Sequence, residues 1–180
     1  MMLQWRATGS AVGLVLLVTA GPALAQAAPD ATPYPIRVTY DSISDSTTRS
    51  VEVQRGRYFL HFHKPRVTVA LTYPGRTAPA EPVDVLIEFR TQSPQYTATN
   101  VLTLTAPGIL PVLAVATRSH VHTHIQTTDH TLTFILPAAE LRPLLAATRA
   151  RLEVGGVKVE LKQGQLEAIA RLLAPASTGP

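Results

Sequence analysis

The sequence predicts a mainly β fold, an antiparallel β-sandwich followed by a C-terminal helix–β-hairpin–helix tail. Three observations lead there. Between residues 36 and 136, short runs rich in Val, Thr and Ile alternate apolar and polar side chains with period two, at the spacing of antiparallel strands. The dipeptide Gly155-Gly156 lies between two runs whose apolar and charged residues match when folded back on it. Ala/Leu-rich segments with helical spacing flank that pair.

Residues 1–25 read as a signal peptide. Arg6 supplies the positive start, Ala11 to Val18 the apolar stretch, and Ala23-Leu24-Ala25 the small-x-small cleavage pattern. The apolar stretch is too short for a membrane anchor, so the mature chain is expected to be exported, periplasmic or extracellular, with no transmembrane span. The chain has no Cys, so stability has to come from a core rather than from disulfides. About 155 residues remain after cleavage, enough to bury roughly two thirds of the unfolded surface in one domain. The formal charge falls from +4 to +3 on loss of Arg6. No basic stripe is interleaved with aromatics, which argues against nucleic acid as a partner.

Residues 26–35 (QAAPDATPYP) read as an Ala/Pro-rich tether, and residues 36–174 as a single β-sandwich domain with a helical tail. Strands are expected at 36–40, 51–54, 58–63, 67–73 and 83–89, then at 101–105, 112–117, 120–125 and 131–136. Val67, Val69, Leu71 and Tyr73 share one face, as do Val83, Val85, Ile87 and Phe89. Asp41 to Thr47 is a turn whose carboxylates raise the question of calcium; it lacks the Gly and closing Glu of a calcium loop, and Asx-type turn bonding accounts for it. The loops 74–82 and 91–100 are the long polar ones suited to a binding surface.

From Pro137 to Arg149 a helix is expected with Leu141, Leu144, Leu145 and Thr148 along one stripe, its first turn near Ala139 to Pro143 because of the proline. A two-residue turn at Gly155-Gly156 then pairs Val154 with Val157, Glu153 with Lys158, Leu152 with Val159 and Arg151 with Glu160. Residues 165–173 form a helix burying Leu166, Ile169, Leu172 and Leu173, and residues 175–180 are a frayed C-terminus.

The candidate chemistry is histidine. The stretch SHVHTHIQTTDH holds four of six histidines. On a strand, His120, His122 and His124 point to one face at steps of about 6.5–7 Å, and two imidazoles at that spacing can chelate zinc or copper(II). Pairing Ile125 with His130 sets Val121 against Phe134 and sends His130 to the other face, away from the trio. His61 and His63 form a second H-x-H, and a four-histidine site would follow if the two strands lay side by side. Without such a neighbour, these are solvated strand faces. Clustered histidines also suit a pH response, which exposure and screening keep small.

No G-x-S-x-G, P-loop or H-E-x-x-H motif is present, no cysteine nucleophile exists, and the twelve acidic residues are dispersed. No catalytic residue is assigned. The features Tyr40-Asp41-x-x-x-Asp45-x-Thr47, Leu71-Thr72-Tyr73-Pro74-Gly75, and Leu136-Pro137 leading to Val154-Gly155-Gly156-Val157-Lys158-Val159-Glu160-Leu161 carry a resemblance. Across residues 36–173 the chain resembles functionally uncharacterised exported bacterial β-sandwich proteins; the resemblance implies a fold and no activity, cofactor or site. Three functional expectations follow. The first is a non-enzymatic binding or structural protein of the cell envelope, whose partner is another envelope protein or polymer. The second is a periplasmic zinc or copper(II) protein using His120, His122 and His124, with His61 and His63. The third is a hydrolase with an unrecognised site.

Overall fold

A computed structural model describes residues 32–59, 62–123 and 127–175. The expected signal peptide (1–25), residues 26–31 of the expected tether and residues 176–180 lie outside the described residues, as do His61 and His124. The strands are β1 (Ile36–Asp41), β2 (Ser46–Gln54), β3 (Arg57–Phe59), β4 (Phe62–Lys64), β5 (Arg66–Pro74) and β6 (Asp84–Thr91), followed by β7 (Val101–Ala106), β8 (Ile109–Thr123) and β9 (Thr128–Pro137). Helix α1 (Ala138–Leu145), β10 (Arg149–Val154), β11 (Val157–Lys162) and α2 (Gln163–Leu173) complete the order.

The fold is mainly β and antiparallel, and its sheet differs from the expected sandwich. Nine strands form one sheet in the order β1-β2-β5-β6-β9-β8-β7-β10-β11, curled into a half-barrel, with β3 and β4 as a separate hairpin. The reason is β8. Where the sequence predicts two strands, residues 109–123 form one strand that pairs with β7 through Val115 and with β9 from Ala116 onward. A continuous strand that changes partner along its length turns the corner which a sandwich would make with a loop. At the change of partner, Ala116 pairs with Phe134 and Arg118 with Thr133, leaving Thr117 as the extra residue of a bulge, its hydroxyl donating to the Thr133 carbonyl at 3.1 Å. Bulges bend and twist the strand that carries them.

The hairpin β10–β11 has the predicted register, Val154 with Val157 through Arg151 with Glu160. Gly155 and Gly156 take φ of 55° and 80°, as a primed turn requires. The hairpin is not a tail, because β10 also pairs with β7 and so ends the main sheet. Helix α1 also differs from expectation. It is eight residues long, holds Pro143 beyond its first turn and stops before Thr148. Burial of Leu141 and Leu144 offsets the backbone bond that proline removes.

One core fills the concave side. Phe89, Leu132 and Phe134 from one half of the sheet and Leu102, Leu152 and Val154 from the other are fully buried against α1 and α2. Helix α2 carries the four predicted inward residues, Leu166, Ile169, Leu172 and Leu173, all buried. It also carries a buried polar residue. Gln165 Nε2 donates to the Val53 carbonyl at 2.6 Å, and its Oε1 accepts from the Lys162 N–H at 2.8 Å. The end of the tether docks on the same helix, with Arg171 donating to the Tyr34 carbonyl and the Thr32 hydroxyl, both at 3.2 Å.

Two stability predictions follow from these contacts. Gln165→Ala orphans both a buried carbonyl and a cap N–H, and at about 1–3 kcal/mol per unsatisfied group the expected loss in urea unfolding is about 2–4 kcal/mol. Gly155→Ala needs an unfavourable positive φ and drives its Cβ into the Thr97 carbonyl oxygen and to 2.6 Å from the Tyr96 ring, whereas at Gly108 a Cβ meets open space. The expected cost is about 2–4 kcal/mol at residue 155 against about 1 kcal/mol for Gly108→Ala.

Candidate functional site

The bulge at Thr117 decides where the histidines point. Before it, Ala114 and Ala116 face the core and Leu113 and Val115 face out. One inserted residue flips that parity. Beyond it, Ser119 and Val121 lie opposite Leu132 and His130 on the inner side, while His120 and His122 lie opposite Thr131 and Asp129 on the convex face. The His120 and His122 rings stand side by side, centroids 6.4 Å apart and planes 18° from parallel.

The observed register differs from the expected one. Val121 pairs with His130 rather than Phe134, a slip of four residues. An even slip preserves the alternation, so His130 still lies on the face away from His120 and His122. There its ring packs on Tyr96 at 4.5 Å. Tyr96 donates its hydroxyl to the Thr99 carbonyl, and burial raises its pKa above the ordinary 10.0. Of the second H-x-H, His63 lies on β4, which pairs with β3, whereas β8 pairs with β7 and β9; His61 lies outside the described residues. For His63 only the backbone is described, opposite Tyr58. Among the described residues no three His, Asp or Glu gather closely enough to hold a metal ion.

A charged row that sequence reading missed crosses the convex face beside the histidines. Arg66 bonds Glu52 at 2.9 Å, and Arg66 and Arg90 are cross-strand partners. Arg90 bonds Asp129 at 2.8 Å, and Asp129, buried despite its charge, lies opposite His122. Its members span residues 52 to 129, so only the register brings them into one line.

The distal half of β8 has an open backbone edge. Val101 of β7 pairs with Val115, and the last contact on that side is the Ala116 N–H to the Asn100 carbonyl at 2.7 Å. From Thr117 to Thr123 no described strand pairs on that side, and all seven residues are exposed, including the inward-facing Val121 at 52%. The other free edges are dressed differently. Along β11, Lys158 and Lys162 stand beside a groove of about 420 Å³, the usual guard against strand addition. On β1, Tyr40 lies under the Arg76 guanidinium at 4.3 Å.

The Asp41–Thr47 turn uses its carboxylates internally. Asp41 accepts from the Ile43 N–H at 2.9 Å and the Ser44 hydroxyl at 2.8 Å, and Asp45 accepts from the Tyr40 hydroxyl at 2.8 Å. The bond from the Ile43 N–H, then that from Ser44, holds the Asp41 pKa below its ordinary 3.8. A carboxylate with a lowered folded-state pKa stabilises the fold above 3.8, and that contribution disappears as pH falls through the lowered value. Asp41→Asn is therefore expected to lower the melting temperature at pH 7, a difference that shrinks only as pH falls below 3.8 and through the lowered folded-state value, as read by thermal denaturation across pH.

Among the described residues no helix is long and apolar enough to cross a membrane. Comparison with protein-family models, with curated proteins and with solved structures finds no match, so the functional reading rests on the geometry of this chain alone.

Proposed function

We propose that the mature chain is an exported, non-enzymatic binding protein of the bacterial envelope, and that its binding element is the open edge of β8. The observation that supports this reading is the seven-residue stretch 117–123. It is held extended by β9 on one side and exposed on both faces, and no described strand pairs with it on the other side. An extended segment of another envelope protein can add there as a strand, with backbone hydrogen bonds supplying affinity and alternate side chains supplying specificity. Val101, Leu113 and Val115 continue the surface as exposed aliphatic residues on the convex face of β7 and β8. The expected sandwich enters this reading in altered form, since a sheet curled by one long strand leaves an interior strand open along half its length.

Selection from a random peptide library on the mature protein tests the proposal. Enriched peptides should alternate β-branched and polar residues, slow amide exchange within 117–123, and lose at least ~10-fold in affinity to Val121→Lys. Peptides that bind while exchange across 117–123 stays unchanged would overturn it.

A further inference from the structure

We infer that the outer face of the β7–β8 and β10–β11 hairpins docks on an anionic phospholipid surface, with Leu110 and Leu113 entering the apolar layer and Arg149 and Lys162 meeting headgroup phosphates. The inference concerns the part of β8 before Ala116 and is independent of the edge at 117–123.

Two observations carry it. The first is a group of exposed aliphatic side chains. Leu113 and Val115 are 65% and 68% exposed on the outer face, and Val101, the cross-strand partner of Val115, is 40% exposed. Leu110 is 86% exposed, and the backbone is the reason. Leu104 pairs with Val112 and Ala106 with Ile109, so β8 has one residue more than β7 between those pairs. Ala106 and Ile109 pack on the core, and the extra length carries Leu110 outside it, close to the turn at Pro107-Gly108.

The second is the charge pattern of the β10–β11 hairpin. Its outward cross-strand pairs are Glu153 with Lys158, Arg151 with Glu160, and Arg149 with Lys162. The first two oppose unlike charges and form ion pairs, at 3.9 Å and 2.6 Å. The third sets two cations side by side, and neither is in an ion pair among the described residues. Like charges directly opposed on a strand face disfavour the pairing, and an anion bound between them relieves that cost. Because β10 also pairs with β7, with Arg151 opposite Thr105, this cationic end lies beside the β7–β8 turn. Thr105 to Pro107 and Arg149 to Arg151 border a concavity of about 260 Å³ there. Glu160 borders it too, with its carboxylate held by Arg151.

This arrangement matches an interface between apolar and anionic layers. Aliphatic side chains stand on β8, Thr103 and Thr105 on β7, and the unmatched cations on β10 and β11, so one face runs from apolar to cationic. A bilayer offers the complementary order, acyl chains beneath a layer of phosphates. Protein hot spots are instead built on Trp, Tyr and Arg gathered at one centre.

Cosedimentation of the full mature chain with vesicles tests the inference, comparing phosphatidylcholine alone with a phosphatidylglycerol–phosphatidylcholine mixture. Binding is expected on the mixed vesicles only, and it should fall as salt rises. Arg149→Gln and Lys162→Gln should each weaken it ~5-fold. Each should also leave the melting temperature unchanged or higher, because each removes the like-charge opposition. Arg76→Gln, which removes the same charge beside Tyr40, should leave binding unchanged. Leu110→Ser should weaken binding ~10-fold. The one Trp of the sequence is Trp5, within the expected signal peptide, so Leu110→Trp gives the mature chain a single indole, whose emission should shift to the blue on mixed vesicles. Equal binding to both vesicle types, an Arg76→Gln loss as large as that of Lys162→Gln, or an unshifted Leu110→Trp emission in bound protein would overturn the inference. Capture by an acidic polysaccharide with no binding to either vesicle would overturn it as well.

Discussion

The whole fold depends on filling the concave side of a curled sheet. A sheet bent into a half-barrel brings two apolar inner faces together, and they stay dry only if something plugs the seam between its ends. Helix α2 is that plug, packing mainly on β2 and also touching β5, β10 and β11. Its apolar stripe supplies the driving force, while Gln165 supplies the registration. By bonding Val53, a residue 112 positions earlier in the chain, one side chain ties the last helix to the second strand. A buried amide with one group left unsatisfied is costly, so this bond penalises any docking of α2 that is shifted by a turn. The same helix holds Thr32 and Tyr34 through Arg171, so the segment that leads into β1 is positioned by the plug as well.

That constraint also explains where the core ends. β8 runs through both halves of the curl, and only its middle residues have helices and strands beneath them. Ala114 is buried, while Thr117 to Thr123 are exposed on both faces. The bulge at Thr117 therefore has two consequences from one inserted residue. It bends β8 so that the strand can serve two partners, and it turns the histidines outward, where an unbroken strand would aim them at the concave side. Surface chemistry and fold geometry meet at the same peptide.

How much of this was legible in the sequence depended on how many independent patterns fell on each element. The β10–β11 hairpin was read to the residue because glycine chemistry, apolar pairs and charge pairs all select one register, and Arg151–Glu160 at 2.6 Å sits where the charges place it. Helix α2 was legible from its stripe, but Gln165 was not, since a lone Gln in a helix carries no sign of a partner 112 residues away. The β8–β9 register was misread by four because alternation is blind to even slips. The sandwich was misread for a related reason: period-two patterning fixes which side of each strand is buried, and a curled sheet and a sandwich satisfy it equally. The Glu52–Arg66–Arg90–Asp129 row was invisible for the same cause, as it exists only once long-range register is set.

The open edge is unusual in being both exposed and ordered. A strand with no core beneath it would be expected to open readily, because its backbone bonds are accessible to water and few apolar contacts hold it. Here six consecutive residues, Arg118 to Thr123, keep register with Thr133 to Thr128, and the row ending in Asp129 braces the convex side of that ladder. A ligand adding at this edge therefore meets a strand already extended, and the ordering cost that usually weakens strand addition falls on the incoming segment alone. Where β11 carries Lys158 and Lys162 and Tyr40 of β1 lies under Arg76, residues 119–123 of β8 carry Ser, His, Val, His and Thr. Of the free edges described in this sheet, β8 is extended along a paired neighbour with both faces exposed, and it is the one that carries histidines.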